Sequence, residues 1–118
     1  MSQHNEVGKI GEEIAKKFLK KAGYKIIKQN YKTKYAEIDL ITQNKKCLVF
    51  VEVRTKVGEN FGTPEETINK KKIKKLLGNA MAYAFIKKWG GSFRIDAICI
   101  VLKPDHSVER LSHYENIV

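Results

Sequence analysis

A chain of 118 residues with 42% hydrophobic side chains is sized for one domain, 1–118, with a packed interior and no long polar tract of the kind that stays disordered. No apolar run approaches the ~20 residues needed to span a bilayer, and the N-terminal stretch turns acidic early without an apolar signal core, so a cytoplasmic protein is expected. Twenty-three Lys and Arg against thirteen Asp and Glu leave a net charge of +10, which favours a polyanionic partner, nucleic acid being the commonest. The lysines are spread over several segments and not gathered in one tail, which speaks against a membrane-surface patch.

In chain order, the first helix is expected from an N-cap at Asn5 to a C′ residue at Gly23. Ile10, Ile14, Phe18 and Ala22 recur every four residues as its apolar stripe, with Leu19 adjoining, and Lys16, Lys17, Lys20 and Lys21 occupy the other face. Residues 24–31 read as an edge strand. Strands at 36–42 and 47–55 come next, joined by the polar Gln43-Asn44-Lys45-Lys46, so an antiparallel hairpin is the economical pairing. The second strand is apolar at consecutive positions, Leu48 to Val51, which implies burial on both faces and a central place in the sheet.

Residues 57–62 read as a loop and 69–88 as a long basic helix with Ile73, Leu76, Leu77, Ala80 and Ala84 on its apolar side, ended by Gly90-Gly91. Its start has two candidates, a capping box in Thr63-Pro64-Glu65-Glu66 and a later cap at Asn69. Strands at 93–102 and 108–114 complete the order α-β-β-β-α-β-β, an α/β sheet containing a hairpin. Cys47 and Cys99 sit in apolar segments without CxxC spacing, and His4, His106 and His113 are scattered. Both cysteines are therefore read as small core hydrophobes and not as zinc ligands.

The hairpin strands carry Glu37, Asp39 and Glu52 where a strand built only for packing would carry Val or Ile. Strand side chains alternate, so Glu37 and Asp39 share one face, as do Glu52, Arg54 and Lys56 on the next strand. If the hairpin pairs across its polar turn, the Asp39 and Glu52 carboxylates approach each other. Two ionised carboxylates in a dry sheet repel. A divalent cation, held by those carboxylates, a carbonyl such as that of residue 53 and waters, removes the repulsion. The competing reading is an ordinary salt-bridge network with Arg54, Lys56 or the helix lysines. Glu12 and Glu13 alone say little, because acids suit the first turns of any helix.

The blocks GKIGEEIAKKFLKKAGYKII, AEIDLI, LVFVEVRTK, FGTPEETINKKKIKKLLGNAMAYA and FRIDAI resemble, in order and spacing, those of the YraN-like family of small, largely uncharacterised bacterial proteins, over residues 8–100. The resemblance implies a restriction-endonuclease-like α/β core, a mixed central sheet flanked by two helices, and a more distant likeness to archaeal Holliday-junction resolvases. The superfamily's PD-(D/E)-x-K site implies metal ligation by Asp39, Glu52 and, from the first helix, Glu12, with Glu13 the weaker match. Glu37, Lys72 and Asp96 also match recurrent family positions. Two positions depart from the pattern: Arg54 replaces the motif lysine, and Ala36 replaces the usual glycine. A guanidinium cannot release a proton as a lysine can, so Arg54 is assigned to orienting a phosphate or stabilising charge in the transition state, with Lys56, two residues on, to stand in for the motif lysine.

The expected function is then a Mg²⁺- or Mn²⁺-dependent endonuclease acting on DNA, branched or damaged structures included. Lys16, Lys20, Lys56, Lys71, Lys72 and Lys75 would supply phosphate contacts. Nothing resembles a base-reading module, so shape recognition is expected over sequence recognition. Symmetric cutting of two strands would suit a homodimer, although no segment marks an interface. The alternatives are a nucleic-acid-binding protein that keeps the fold without cleavage, and a structural or partner-binding protein. Tyr24, Tyr31, Tyr35, Phe61, Tyr83 and Trp89 are read mainly as packing residues, base stacking being the second use.

Overall fold

Helix α1 (Glu6–Lys21) is followed by β1 (Lys25–Lys32), β2 (Glu37–Asn44), β3 (Cys47–Val57), a 3-10 turn (Pro64–Thr67), α2 (Lys70–Ile86), β4 (Ser92–Leu102) and β5 (Val108–Tyr114) in the computed structural model, which describes residues 6–118. The expected cap at Asn5 lies outside the described residues, as does His4. The other end of α1 is fixed by Gly23, at φ +96°. Its N–H donates to the Lys20 carbonyl at 3.0 Å and the Tyr24 N–H donates to Leu19 at 2.9 Å, the paired bonds of a Schellman motif. Leu19 and Tyr24 then enter the same apolar cluster.

The buried face of α1 differs from the expected stripe. Gly11, Ala15 and Leu19 are the fully buried positions, Val7, Ile10 and Ile14 flank them, and Phe18 is 38% exposed with Ala22 also outside. The helix stands on its small residues because it lies unusually close to β3. A Cβ added at Gly11 would meet Thr55 Cβ at 2.8 Å, a clash that no side-chain rotation relieves. Gly11→Ala is accordingly expected to lift α1 off the sheet, to cost about 1–3 kcal/mol as overpacking, and to be only partly rescued by Thr55→Ala. Urea denaturation followed by circular dichroism checks this, and an unchanged midpoint would refute the close-approach account.

Both candidate caps ahead of α2 are used, on separate elements. Thr63 and Glu66 close a reciprocal capping box on the 3-10 turn, while Asn69 Oδ1 accepts the Lys72 N–H at 2.8 Å and starts α2. The helix stops before Gly90: Lys88, at φ +53°, is the left-handed residue, with Trp89 N–H on the Ala84 carbonyl at 2.9 Å. Leu76, Ala80 and Tyr83 form the buried side, joined by Asn79. Asn79 donates to the Ala36 carbonyl at 3.0 Å and accepts from Thr33 at 2.9 Å, so α2 holds the turn that leads into β2. Ala36 itself has no left-handed φ, and its departure from glycine needs no backbone adjustment.

The strands form one sheet in the order β1-β2-β3-β4-β5. β3 pairs in parallel with β4 and every other pairing is antiparallel. α2 supplies the long crossover that a parallel pair needs. β3 is the central strand, as its apolar run implies. On one face Ala15 and Leu19 pack over Val49, Val51, Ile98 and Ile100; on the other Leu76, Ala80 and Tyr83 pack over Ile38, Leu48, Phe50 and Ile95. This mixed α/β layering, a helix on each face of a five-stranded sheet, is compatible with a restriction-endonuclease-like core. Cys99 is buried and Cys47 half-buried, both as free thiols, and burial pushes the Cys99 thiol up to about 12.

Asp96, fully buried on β4, accepts from Arg94 Nε at 2.9 Å and from the Asn116 N–H at 2.9 Å, and lies 2.8 Å from His113 Nε2. Arg94 also reaches the Tyr24 hydroxyl at 2.8 Å. Asp96 thus ties β4, β5 and the C-terminal segment together.

Candidate active site

The hairpin ladder between β2 and β3 runs from Asn44↔Cys47 to Leu40↔Val51 and goes no further, while β2 stays paired with β1 as far as Glu37. From Asp39 onward β2 therefore peels away from β3. Side-chain alternation breaks at the same place, since Leu40 packs on the α1 side and Ile38, two residues earlier, on the α2 side. Glu37 and Asp39 nevertheless line the same cavities, as their shared face implies. At the fork, the Val53 N–H donates to Asp39 Oδ2 at 2.8 Å. The carboxylate thus bridges the two strands where their ladder ends.

The fork opens into a polar cleft of about 340 Å³ lined by Glu12 of α1, Glu37 and Asp39 of β2, Glu52 to Lys56 of β3, and Lys72 of α2. Asp39 and Glu52, expected near each other across the hairpin, do line this common cleft. Glu12 lies on its α1 wall, accepting from Asn30 at 3.2 Å, whereas Glu13 is turned outward to Lys16 at 3.4 Å. Glu37 is also in the wall.

Burial, then the charge of Glu52, raises the Asp39 carboxyl well above its ordinary range, with Glu12 and Glu37 adding to the effect and the Val53 N–H opposing it. Glu52, only 3% exposed, is held on one oxygen: Oε2 lies 2.9 Å from Arg54 and 3.2 Å from Lys72. Half of the salt-bridge alternative is therefore realised, at Glu52 and not at Asp39. Among the described residues, Glu52 Oε1, Arg54 Nε and Thr55 Oγ1 are the buried side-chain polar atoms without a hydrogen-bond partner, and all three belong to cleft-lining residues of β3. Such atoms are rare in folded interiors, and each calls for a partner such as a water or an ion.

The donor chemistry fits a hard dication: carboxylate oxygens, one of them unpaired and buried, beside an acid destabilised by its neighbours. Among the described residues, no three carboxylate, imidazole or thiol groups converge closely enough to ligate one ion as they stand.

The six expected phosphate-contacting lysines divide among three cavities. Lys56 and Lys72 line the acidic cleft, and Lys71, Lys72 and Lys75 line a neighbouring cavity of about 380 Å³ that shares Glu37 and Asp39 with it. Lys16 and Lys20 instead border a separate groove with Lys25 and Lys28 between α1 and β1. Of the aromatics, Tyr24, Tyr31, Tyr83 and Trp89 pack in or against the two cores, while Tyr35 and Phe61 are 70% and 95% exposed. Tyr35 lines the cavity with Lys71 and Lys75, and Phe61 offers its carbonyl to Lys56 at 3.4 Å. Sequence spacing missed the Lys72–Glu52 contact; the basic start of α2 signals a cation there but not which one reaches β3.

No helix of the described residues is long and apolar enough to cross a membrane. The profile of the uncharacterised protein family UPF0102 matches residues 11–100. A UPF0102 protein of Caldanaerobacter subterraneus subsp. tengcongensis is 39% identical over 112 residues, covering 93% of this chain and 92% of the relative. Another, of Pelotomaculum thermopropionicum, is 35% identical over 113 residues with coverage of 93% and 92%. A third, of Sulfurihydrogenibium, is 42% identical over 96 residues, covering 79% and 82%. Matched across both helices and four of the five strands, and over nearly the whole length of full-length relatives, the chain belongs to the uncharacterised protein family UPF0102, the YraN-like family its sequence blocks resemble.

Proposed function

We propose that this protein is a divalent-metal-dependent nuclease that acts on DNA by phosphodiester hydrolysis. One observation carries the reading: acids from three elements, Glu12, Asp39 and Glu52, line a single cleft whose other wall is basic. Asp39, Glu52 and Glu12 would hold Mg²⁺ or Mn²⁺. The chemistry such an ion supplies when bound is polarisation of a phosphate and a lowered pKa for a bound water. Arg54, always protonated, orients the scissile phosphate and does not act as base, and Lys56 lies beside it on the same strand face. Lys71, Lys72 and Lys75 contact flanking phosphates. These contacts are indifferent to base sequence, so the substrate is chosen by shape, with branched or damaged DNA the preferred class.

The test is a cleavage assay on linear, flapped and four-way DNAs with Mg²⁺ or Mn²⁺ against EDTA. Metal-dependent cutting is expected, together with binding that weakens about 10²-fold between ~50 and ~200 mM salt if four lysines each engage a phosphate. The cations already seated on Glu52, and Arg54 in the motif lysine's place, favour a second reading, DNA binding without cleavage. Salt-sensitive binding with no cutting under either metal selects it. No binding to any of the DNAs refutes both.

A further inference from the structure

Lys72 stands apart from the other cleft lysine, Lys56, whose ammonium bonds a backbone carbonyl, because its own partner is an acid, the one that the nuclease reading needs free. Glu52 is nearly fully buried, so its charge requires compensation within the fold. Two cations meet that requirement on the same oxygen, but they are rooted differently. Arg54 rises from the same strand and the same face, two residues away, and its Nε is buried. Lys72 comes from the opposite side of the cleft, on the first turn of α2, where its backbone N–H is pinned by Asn69. Its side chain is 38% exposed and ends 3.2 Å from Glu52 Oε2. A four-carbon stem on a fixed root lets the ammonium swing without moving either element. Lys72 also lines the basic cavity with Lys71 and Lys75, so the swing leads from the acids towards the phosphate-contacting wall.

We propose that Lys72 is a displaceable counter-ion for Glu52: it neutralises the acid in the metal-free protein, a divalent cation entering the cleft must expel it, and the expelled ammonium becomes a phosphate contact. This rests on the metal-dependent nuclease reading and adds to it a residue whose two positions couple ion binding to polyanion binding. An ammonium that stays on Oε2 repels an incoming dication at a few ångströms, in a setting that screens charge weakly. Removing it therefore favours the ion, although it also removes a cation from the DNA-binding wall.

The experiment is a calorimetric Mn²⁺ titration, without DNA, of the wild type, Lys72→Met and Lys71→Met at constant ionic strength. Lys71 carries the same charge on the neighbouring position, lines the second cavity and not the first, and controls for the change in net charge. Lys72→Met is expected to bind Mn²⁺ about tenfold more tightly than wild type, with Lys71→Met changed by less than about threefold. Equal or weaker Mn²⁺ binding by Lys72→Met, or equal tightening by both variants, overturns the counter-ion role while leaving the metal site in place. Failure of all three proteins to bind Mn²⁺ overturns the role and the metal-dependent reading together.

Discussion

Asp39→Asn is expected to abolish metal-dependent cleavage, by about 10³-fold or more, and at the same time to make the metal-free protein more stable. The two effects have one cause. Burial and the neighbouring Glu52, Glu12 and Glu37 raise the Asp39 carboxyl in the folded state, so at neutral pH its ionised form opposes folding. Asparagine keeps an oxygen for the Val53 N–H and discards the charge. The gain should be largest at neutral pH and above. It should shrink as pH falls through the raised folded value and vanish below the ordinary carboxylate range, where wild type is protonated in both states. Urea denaturation of both proteins between neutral and mildly acidic pH, in EDTA, measures it. A variant less stable than wild type throughout, or one that cleaves normally with Mg²⁺, would show Asp39 to be a structural acid.

Asp96→Ala is expected to do the opposite, costing about 3–5 kcal/mol without involving the cleft. Both carboxylate oxygens of Asp96 are engaged, by Arg94, His113 and the Asn116 N–H, and its removal strands Arg94 against the sheet. Although burial opposes it, the hydrogen bonds from His113, Arg94 and Asn116 hold the Asp96 carboxyl below its ordinary range. A lowered folded value gives stability that is present above the unfolded pKa and lost as pH falls through the folded one. The acid limb of the wild-type stability curve should therefore flatten in Asp96→Ala. A cost below about 1 kcal/mol, in the range of an ordinary surface change, would refute the buried-clamp role. The two aspartates thus answer to pH with opposite signs.

Arg54 shows how far a motif can be read without a fold. The departure from the lysine that the family resemblance implies is visible in the sequence, and it directs attention to Lys56, the nearest amine on the same strand face. In three dimensions the amine on Glu52 is Lys72, twenty residues on from the acid and delivered by the crossover helix. Similarly, Ile10, Ile14, Phe18 and Ala22 form a sound apolar stripe by hydropathy. The helix nevertheless buries Gly11 and Ala15, because close approach to β3 favours side chains that are absent or small.

The chain alone determined the succession of the main helices and strands and several of their ends. Gly23 closes α1, Thr63 with Glu66 caps the 3-10 turn, Asn69 caps α2, and Leu48 to Val51 mark β3 as central. Those features depend on residues within a turn or two of each other, where φ/ψ preference, capping and two-residue alternation act. The parting of β2 from β3 at Asp39, the face on which α1 rests, and the meeting of Glu12, Asp39, Glu52 and Lys72 were decided by tertiary structure. Each depends on which backbone lies alongside, on how near it comes, and on the charge that burial leaves uncompensated, and none of these quantities is a property of a local stretch of sequence.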